Sequence, residues 1–414
     1  MRMIIRSTGT ALLALLLAAG GPVSAGPSAL SPPAASPATS ERKPDPEIRD
    51  VSDRLAAIIE KHKIPAMAAV VIRDGRTVAR GVAGVRKSGH DAKATLDDLW
   101  HLGSCTKSMT ATLCAAMVER GTLGWDSTLA EVFADLEPSM HDDYKRVTLS
   151  QLLTNRGGVP GGLNFGGLWD TLWNFTGTPT EARRLLARRV LSRPPEYAPG
   201  TKSVYSNGGF AIAGHMAETA AGRPYEELMG ELLFEPLGMT SCGWGSPGSP
   251  AGDADPDQPW GHSRKGEPVE PRPKGADNPT ALSPAGRLHC TIGDWAKYVA
   301  LHCRAGASNP QRSCLLLRPE SFDRLHTPPD TLSDYAFGWA RPERPWAGPE
   351  GSRYVLTHSG SNTMWFCVTW IAPTRDFAVL VCCNSGVESA GRACDEACAA
   401  MIRGELRDGR TKDN

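Results

Sequence analysis

The sequence has no excess of either charge: Lys plus Arg and Asp plus Glu both total 45 in 414 residues. That balance signals neither the basic stripe of a nucleic-acid-binding protein nor an acidic disordered region, and no nucleic-acid partner is expected. After residue 25 no apolar run is long enough to span a bilayer. No CxxC pair occurs, and Cys394 with Cys398 has no neighbouring His, so neither a metal cluster nor a metal cofactor is expected. No repeat is visible. Hydrophobic residues make up 41% and charged residues 22%, the composition of an ordinary globular chain.

Eleven cysteines are what the chain does have, an odd number for an exported protein. Cys303 and Cys314 bracket a loop-like stretch and are the expected disulfide, if one forms. Cys105, Cys114, Cys367, Cys382 and Cys383 fall in apolar patterns and read as small buried hydrophobes.

The opening segment reads as an export signal. Arg2 and Arg6 precede the apolar run Ala11 to Ala19, and Val23-Ser24-Ala25 supplies small residues for cleavage. As a helix that run rises only about 14 Å, half of a bilayer core. Residues 1–25 are therefore assigned as a signal peptide, 26–47 as a Pro/Ala/Ser-rich linker, 48–405 as one folded domain and 406–414 as a charged tail. The expected location is secreted or periplasmic. No Cys follows the cleavage site, so no membrane anchor is expected after cleavage.

Within the domain, a helix is predicted from near Glu47 through Leu55, Ile58 and Ile59. Ala68 to Arg73 and Thr77 to Val82 flank Asp74-Gly75 as a hairpin. A helical pattern runs from Ser104 to Gly121. Residues from about 120 to 290 read as helices and irregular loops, including a helix over 209–221, another from Pro224 that stops before Pro236, and a long surface loop over 245–280. Strands return at 354–357, 365–371 and 377–383, followed by a final helix. The fold class is α/β (α+β): an antiparallel sheet formed by the N- and C-terminal strands, flanked by helices, with an inserted, mostly helical subdomain.

Three short segments carry the chemistry. Ser104-Cys105-Thr106-Lys107 places a hydroxyl and an amine three residues apart, on one helix face. A serine hydroxyl becomes a nucleophile when a neighbour accepts its proton. For lysine to do so at neutral pH its pKa must fall about 2–3 units from ~10.4, at ~1.4 kcal/mol per unit; burial and the positive end of a helix both act in that direction. Ser40-Glu41-Arg42-Lys43 has the same spacing, so the pattern alone decides little. Tyr205-Ser206-Asn207 is the only YxN in the chain and adds a phenol and an amide. His358-Ser359-Gly360, followed by Ser361, lies at the end of a predicted strand, although His101-Leu102-Gly103 repeats that triplet. Each segment alone has a structural alternative: Ser104 as a helix N-cap, Lys107 as a solvated side chain, Asn207 as a cap, and His358 as a packed strand residue.

Order and flanks decide between these readings. The succession of SxxK at a helix start, YxN in the helical region and HxG near the C-terminus resembles the serine β-lactamase and penicillin-binding-protein superfamily. The resemblance is strongest to the class C β-lactamases and their relatives among D-amino-acid peptidases and esterases. Leu102 to Ala111, Pro199-Gly200, Phe234 to Met239, Phe337-Gly338-Trp339 and Asn384 extend it over residues 48–405. The resemblance implies Ser104 as an acylated nucleophile and Lys107 with Tyr205 as its proton-transfer pair. It implies substrate binding by Asn207, His358, Gly360 and Ser361, with an oxyanion hole from the Ser104 and Ser361 N–H groups. The implied partner is a small-molecule or peptidic acyl compound. The reading is a serine hydrolase cleaving an ester, amide or β-lactam; the alternative is a sensor or scaffold of this fold that binds without turnover, and a metal-dependent hydrolase is a third. Two positions depart from the family pattern. His358 stands where many members have Lys, and Leu152 to Gly158 replaces a segment usually carrying His and Ser-Gly.

Overall fold

The computed structural model describes residues 47–252, 254–272, 274–306 and 316–410. The chain enters through a two-residue strand, β1 (Arg49–Asp50), and helix α1 (Ser52–His62), then forms the hairpin β2 (Ala66–Arg73) and β3 (Arg76–Gly84). Asp74 and Gly75 both have positive φ, at 51° and 67°. Asp-Gly tolerates that backbone, whose twist suits a tight hairpin. Three strands from the other end of the domain complete the sheet: β4 (Leu356–Ser361), β5 (Phe366–Ala372) and β6 (Phe377–Cys383). The order β1-β3-β2-β6-β5-β4 pairs β2 with β6, so strands some 300 residues apart in sequence lie side by side. All pairings are antiparallel except β1 with β3.

Period-two alternation makes this sheet the centre of two cores. Ala68, Val70 and Ile72 of β2 face one core together with Leu380 and Cys382. Met67, Ala69 and Val71 face the other with Val379, Val381 and Cys383. Helix α1 and the C-terminal helix Ala390–Arg410 cover this second face through Leu55, Ile58, Cys394, Cys398 and Met401. The first face meets helix Ile292–Arg304 and, beyond it, the helical region.

Several expectations are corrected. The region 120–290 is not purely helices and loops, because Leu99–His101 pairs with Leu288–Thr291, which pairs in turn with Gly243–Trp244 as a three-stranded sheet. Segment 245–280 is not merely a surface loop. Trp260, His262 and Asp277 are buried, and His262 Nδ1 lies 2.7 Å from the Asn384 carbonyl. The helix that opens after Pro224 does not stop before Pro236; a π turn over Gly230–Phe234 carries it on to Leu237. The strand expected over 354–357 begins at Leu356 and continues to Ser361, so His358 sits inside it. The last helix reaches Arg410, into the expected tail. Cys105, Cys114, Cys367, Cys382 and Cys383 are buried thiols. Cys303 is also a buried free thiol, and Cys314 lies outside the described residues.

Candidate active site

Ser104 stands in a single 3-10 turn, Gly103–Cys105, that leads directly into helix Thr106–Glu119. Nearly all of that helix is buried, Lys107 included. Its apolar and small residues therefore face neighbours on every side, and an amine on its first turn is carried into the interior. Lys107 Nζ has three oxygen neighbours: Ser104 Oγ at 3.0 Å, Asn207 Oδ1 at 2.7 Å and the Ala285 carbonyl at 2.6 Å. None belongs to a carboxylate. Burial pushes the amine well below its ordinary pKa, and only a negative charge on the adjoining Cys105 would oppose it. The Cys105 thiol donates to the His358 carbonyl at 3.4 Å.

The YxN segment arrives from the other side. Ser206, not Asn207, caps helix Asn207–Ala221 by accepting from Gly209 N–H, which leaves both Tyr205 and Asn207 for the site. Tyr205 OH donates to Ser104 Oγ at 2.6 Å. Tyr205 as a whole is 43% exposed, and its hydroxyl is bonded directly to the serine. Burial raises this phenol to about 12, only partly countered by the bond to Ser104, so it keeps its proton at neutral pH. Because Asn207 Oδ1 accepts from Lys107, its Nδ2 donor is the group left for the cavity that Asn207 lines.

The HxG strand closes the site by backbone contact. A Cβ on Gly360 would stand 2.0 Å from the Leu102 carbonyl and 2.9 Å from Ser104 N, and one on Gly103 would stand 2.3 Å from Ser361 N. Glycine at both positions is what lets the 103–104 and 360–361 backbones meet. The Ser361 hydroxyl accepts from Thr363 N–H at 2.9 Å within its own turn. His358 places its ring 6.3 Å from that of Tyr205. All seven residues singled out from the sequence thus converge, with Ser104, Asn207 and Ser361 lining one cavity of about 170 Å³.

Other residues at the site were given no role from the sequence. Asn278 lines the cavity from the 245–280 segment. Tyr335 OH lies 3.3 Å from His358 Nε2. Asn155, with a left-handed φ of 58°, accepts from Ser206 N–H through its side chain and from Val204 N–H through its carbonyl, bracing the backbone on both sides of Tyr205. Asn at a positive-φ position is a weak signal that could have drawn attention to it. The second HxG is a support: His101 Nδ1 accepts from Gly103 N–H at 3.1 Å, and its Nε2 lies 2.9 Å from Asp277. Trp169 and Trp173 pack on each other, Trp260 packs under Lys87, and none of the three lines the cavity.

A fold with this sheet and this serine-lysine-tyrosine geometry defines a class, the serine hydrolases that use a lysine partner. A profile of the beta-lactamase family matches residues 51–398, and the chain belongs to the beta-lactamase family. It is 25% identical over 345 residues to penicillin-binding protein 4 of Amycolatopsis lactamdurans, covering 82% of this chain and 85% of that one. It is 30% identical over 193 residues to esterase EstB of Burkholderia gladioli, covering 45% and 48% of the two chains. Among solved structures, the D-alanine carboxypeptidase AmpC from Burkholderia cenocepacia superposes with a TM-score of 0.63 at 22% identity, covering 85% of this chain and 97% of that one. That likeness establishes the fold.

Proposed function

We propose that the protein is an exported serine hydrolase that cleaves an ester, amide or β-lactam through an acyl-enzyme on Ser104. The observation that carries this reading is the line Tyr205 OH, Ser104 Oγ, Lys107 Nζ, with steps of 2.6 and 3.0 Å. A neutral amine has two N–H donors and one lone pair. The Asn207 and Ala285 oxygens can only accept, so they take the two donors and turn the lone pair toward Ser104. Lys107 thereby receives the serine proton as the hydroxyl attacks the acyl carbon. Tyr205, still protonated, is placed to pass a proton to the departing oxygen or nitrogen and is restored from Lys107. The Ser104 and Ser361 N–H groups are assigned to the developing oxyanion, a contribution of about 3–4 kcal/mol in such reactions. Water then releases the acyl group by the reverse proton path.

The assignment of residues 1–25 as a signal peptide supports the exported part of the reading, with a secreted or periplasmic product. The described residues contain no helix long and apolar enough to cross a membrane. The deciding experiment is a panel of p-nitrophenyl esters, D-amino-acid amides and a chromogenic cephalosporin, with wild type compared to Ser104→Ala. Turnover of at least one class that Ser104→Ala abolishes, in a variant that still folds, is the expected result. Turnover retained by Ser104→Ala would refute the assignment, and a stable adduct on Ser104 with no product would favour the binding-only alternative.

A further inference from the structure

We propose that the departing half of the substrate carries no carboxylate, and that Tyr335, by engaging His358, sets this preference. The inference rests on the serine-hydrolase reading above and names the substrate class of the same site: a neutral ester or amide.

A substrate carboxylate must trade its hydration for a cation or a dense set of donors, because burying it unpaired costs several kcal/mol. The cavity at Ser104 offers Asn207, Asn278, Ser361, Asn362 and Thr363 among small apolar residues, and none of its lining residues is charged. Lys107 is fully buried, and its three hydrogen-bonding positions face Ser104, Asn207 and Ala285. Arg287 lies behind the cavity with its Nε 3.2 Å from Asp277, and both residues are buried.

His358 is then the titratable side chain on the wall beside Tyr205, and its two ring nitrogens are both engaged. Nδ1 lies 2.6 Å from the Ser359 carbonyl, which only accepts, so Nδ1 bears the proton. Nε2 is left to accept from Tyr335 OH at 3.3 Å. Both ring nitrogens are thus bonded within the protein, and neither is offered to a ligand. The fold holds Tyr335 in place for this. Its backbone bridges Ala340, and its ring meets the Tyr205 ring edge-on at 6.5 Å. Arg156 is ion-paired to Asp330 at the start of the segment that carries Tyr335. Arg156, part of one of the two departures seen in the sequence, thus anchors the segment of the residue that engages the other departure, His358.

The test uses two esters that differ only in one methylation, 3-(methoxycarbonyl)phenyl butyrate and 3-carboxyphenyl butyrate. Each kcat/KM is divided by the rate of hydroxide hydrolysis. The wild type is expected to favour the methylated ester at least tenfold. His358→Lys and, separately, Tyr335→Lys should each narrow that ratio about tenfold by raising kcat/KM for the carboxylate. A wild-type ratio near one, or one favouring the carboxylate, with both rates lost in Ser104→Ala, overturns the specificity and leaves the hydrolase reading standing. Hydrolysis of both esters no faster than by Ser104→Ala overturns the hydrolase reading and this inference with it. A tenfold wild-type preference that both folded Lys variants leave unchanged removes Tyr335 and His358 as its source.

Discussion

Two buried basic side chains, Lys107 and Arg183, meet opposite surroundings. Arg183 donates from Nε to Glu218 at 3.0 Å and from Nη1 to Glu226 at 2.9 Å, and Glu218 also has His215 Nδ1 at 2.9 Å. Burial lowers the pKa of its guanidinium, but the two carboxylates more than offset this and raise it overall. Lys107 has three neutral oxygens and no carboxylate, so burial acts nearly unopposed and favours the free amine. A cation given counter-charges is fixed as a strut between helices. One denied them is prepared to take a proton.

The contrast predicts a crossed pattern of mutational effects. Lys107→Met should reduce kcat by about 10³–10⁴-fold, the general-base contribution plus lost positioning. Its unfolding free energy should stay within about 1 kcal/mol of wild type, because relief of a desolvated amine offsets lost hydrogen bonds. Arg183→Met should do the reverse, costing about 3–5 kcal/mol by stranding two carboxylates, with kcat per folded molecule unchanged. Denaturant titration and active-site-normalised kinetics measure both. If both variants lost mainly stability, Lys107 would be a second strut and the distinction would collapse.

Tyr205→Phe sharpens the comparison from the other end of the proton path. It removes the donor proposed for the leaving group and leaves the amine, so a loss of about 10²–10³-fold is expected, with the larger loss on substrates having poor leaving groups. A p-nitrophenyl ester and an unactivated amide would show that difference.

The smallest effect is the one of pH. Protonating Lys107 removes its lone pair, so kcat/KM should rise about tenfold per pH unit along the acid limb and then level off. The Glu218 carboxylate moves otherwise: burial raises its pKa, but the bonds from His215 and Arg183 bring it down to about 2 from an ordinary 4.5. The stability it contributes is fully present above its ordinary value and is lost as pH falls toward about 2. Activity should therefore decline at pH values where circular dichroism still reports a folded protein. Coincident loss of both would mean that unfolding limits the rate.

What could be read from the sequence follows the range of the interactions involved. The hairpin at Asp74-Gly75 and the helix beginning near Ser104 are fixed by neighbours along the chain, and both stand where the residues suggest. The seven residues that converge at the cavity could be singled out because each belongs to a short segment with its own spacing. Tyr335 and the Ala285 carbonyl belong to no such segment; they matter only because distant pieces meet, and any residue supplies a carbonyl. The small sheet at Leu99–His101 was invisible because strands of two to four residues have too few positions to show alternation. Pro236 misled because proline is tolerated in the first turn of a new helical segment.

The central claim is that Ser104 is activated by an uncharged Lys107. Its most direct test is the rate at which a fluorophosphonate labels the protein, followed by peptide mass spectrometry across pH in wild type and Lys107→Met. The account predicts one adduct, on Ser104, forming faster as pH rises along the acid limb in wild type, and slowly without that limb in Lys107→Met. Labelling at another residue, or a Lys107→Met rate and pH profile equal to wild type, would contradict it.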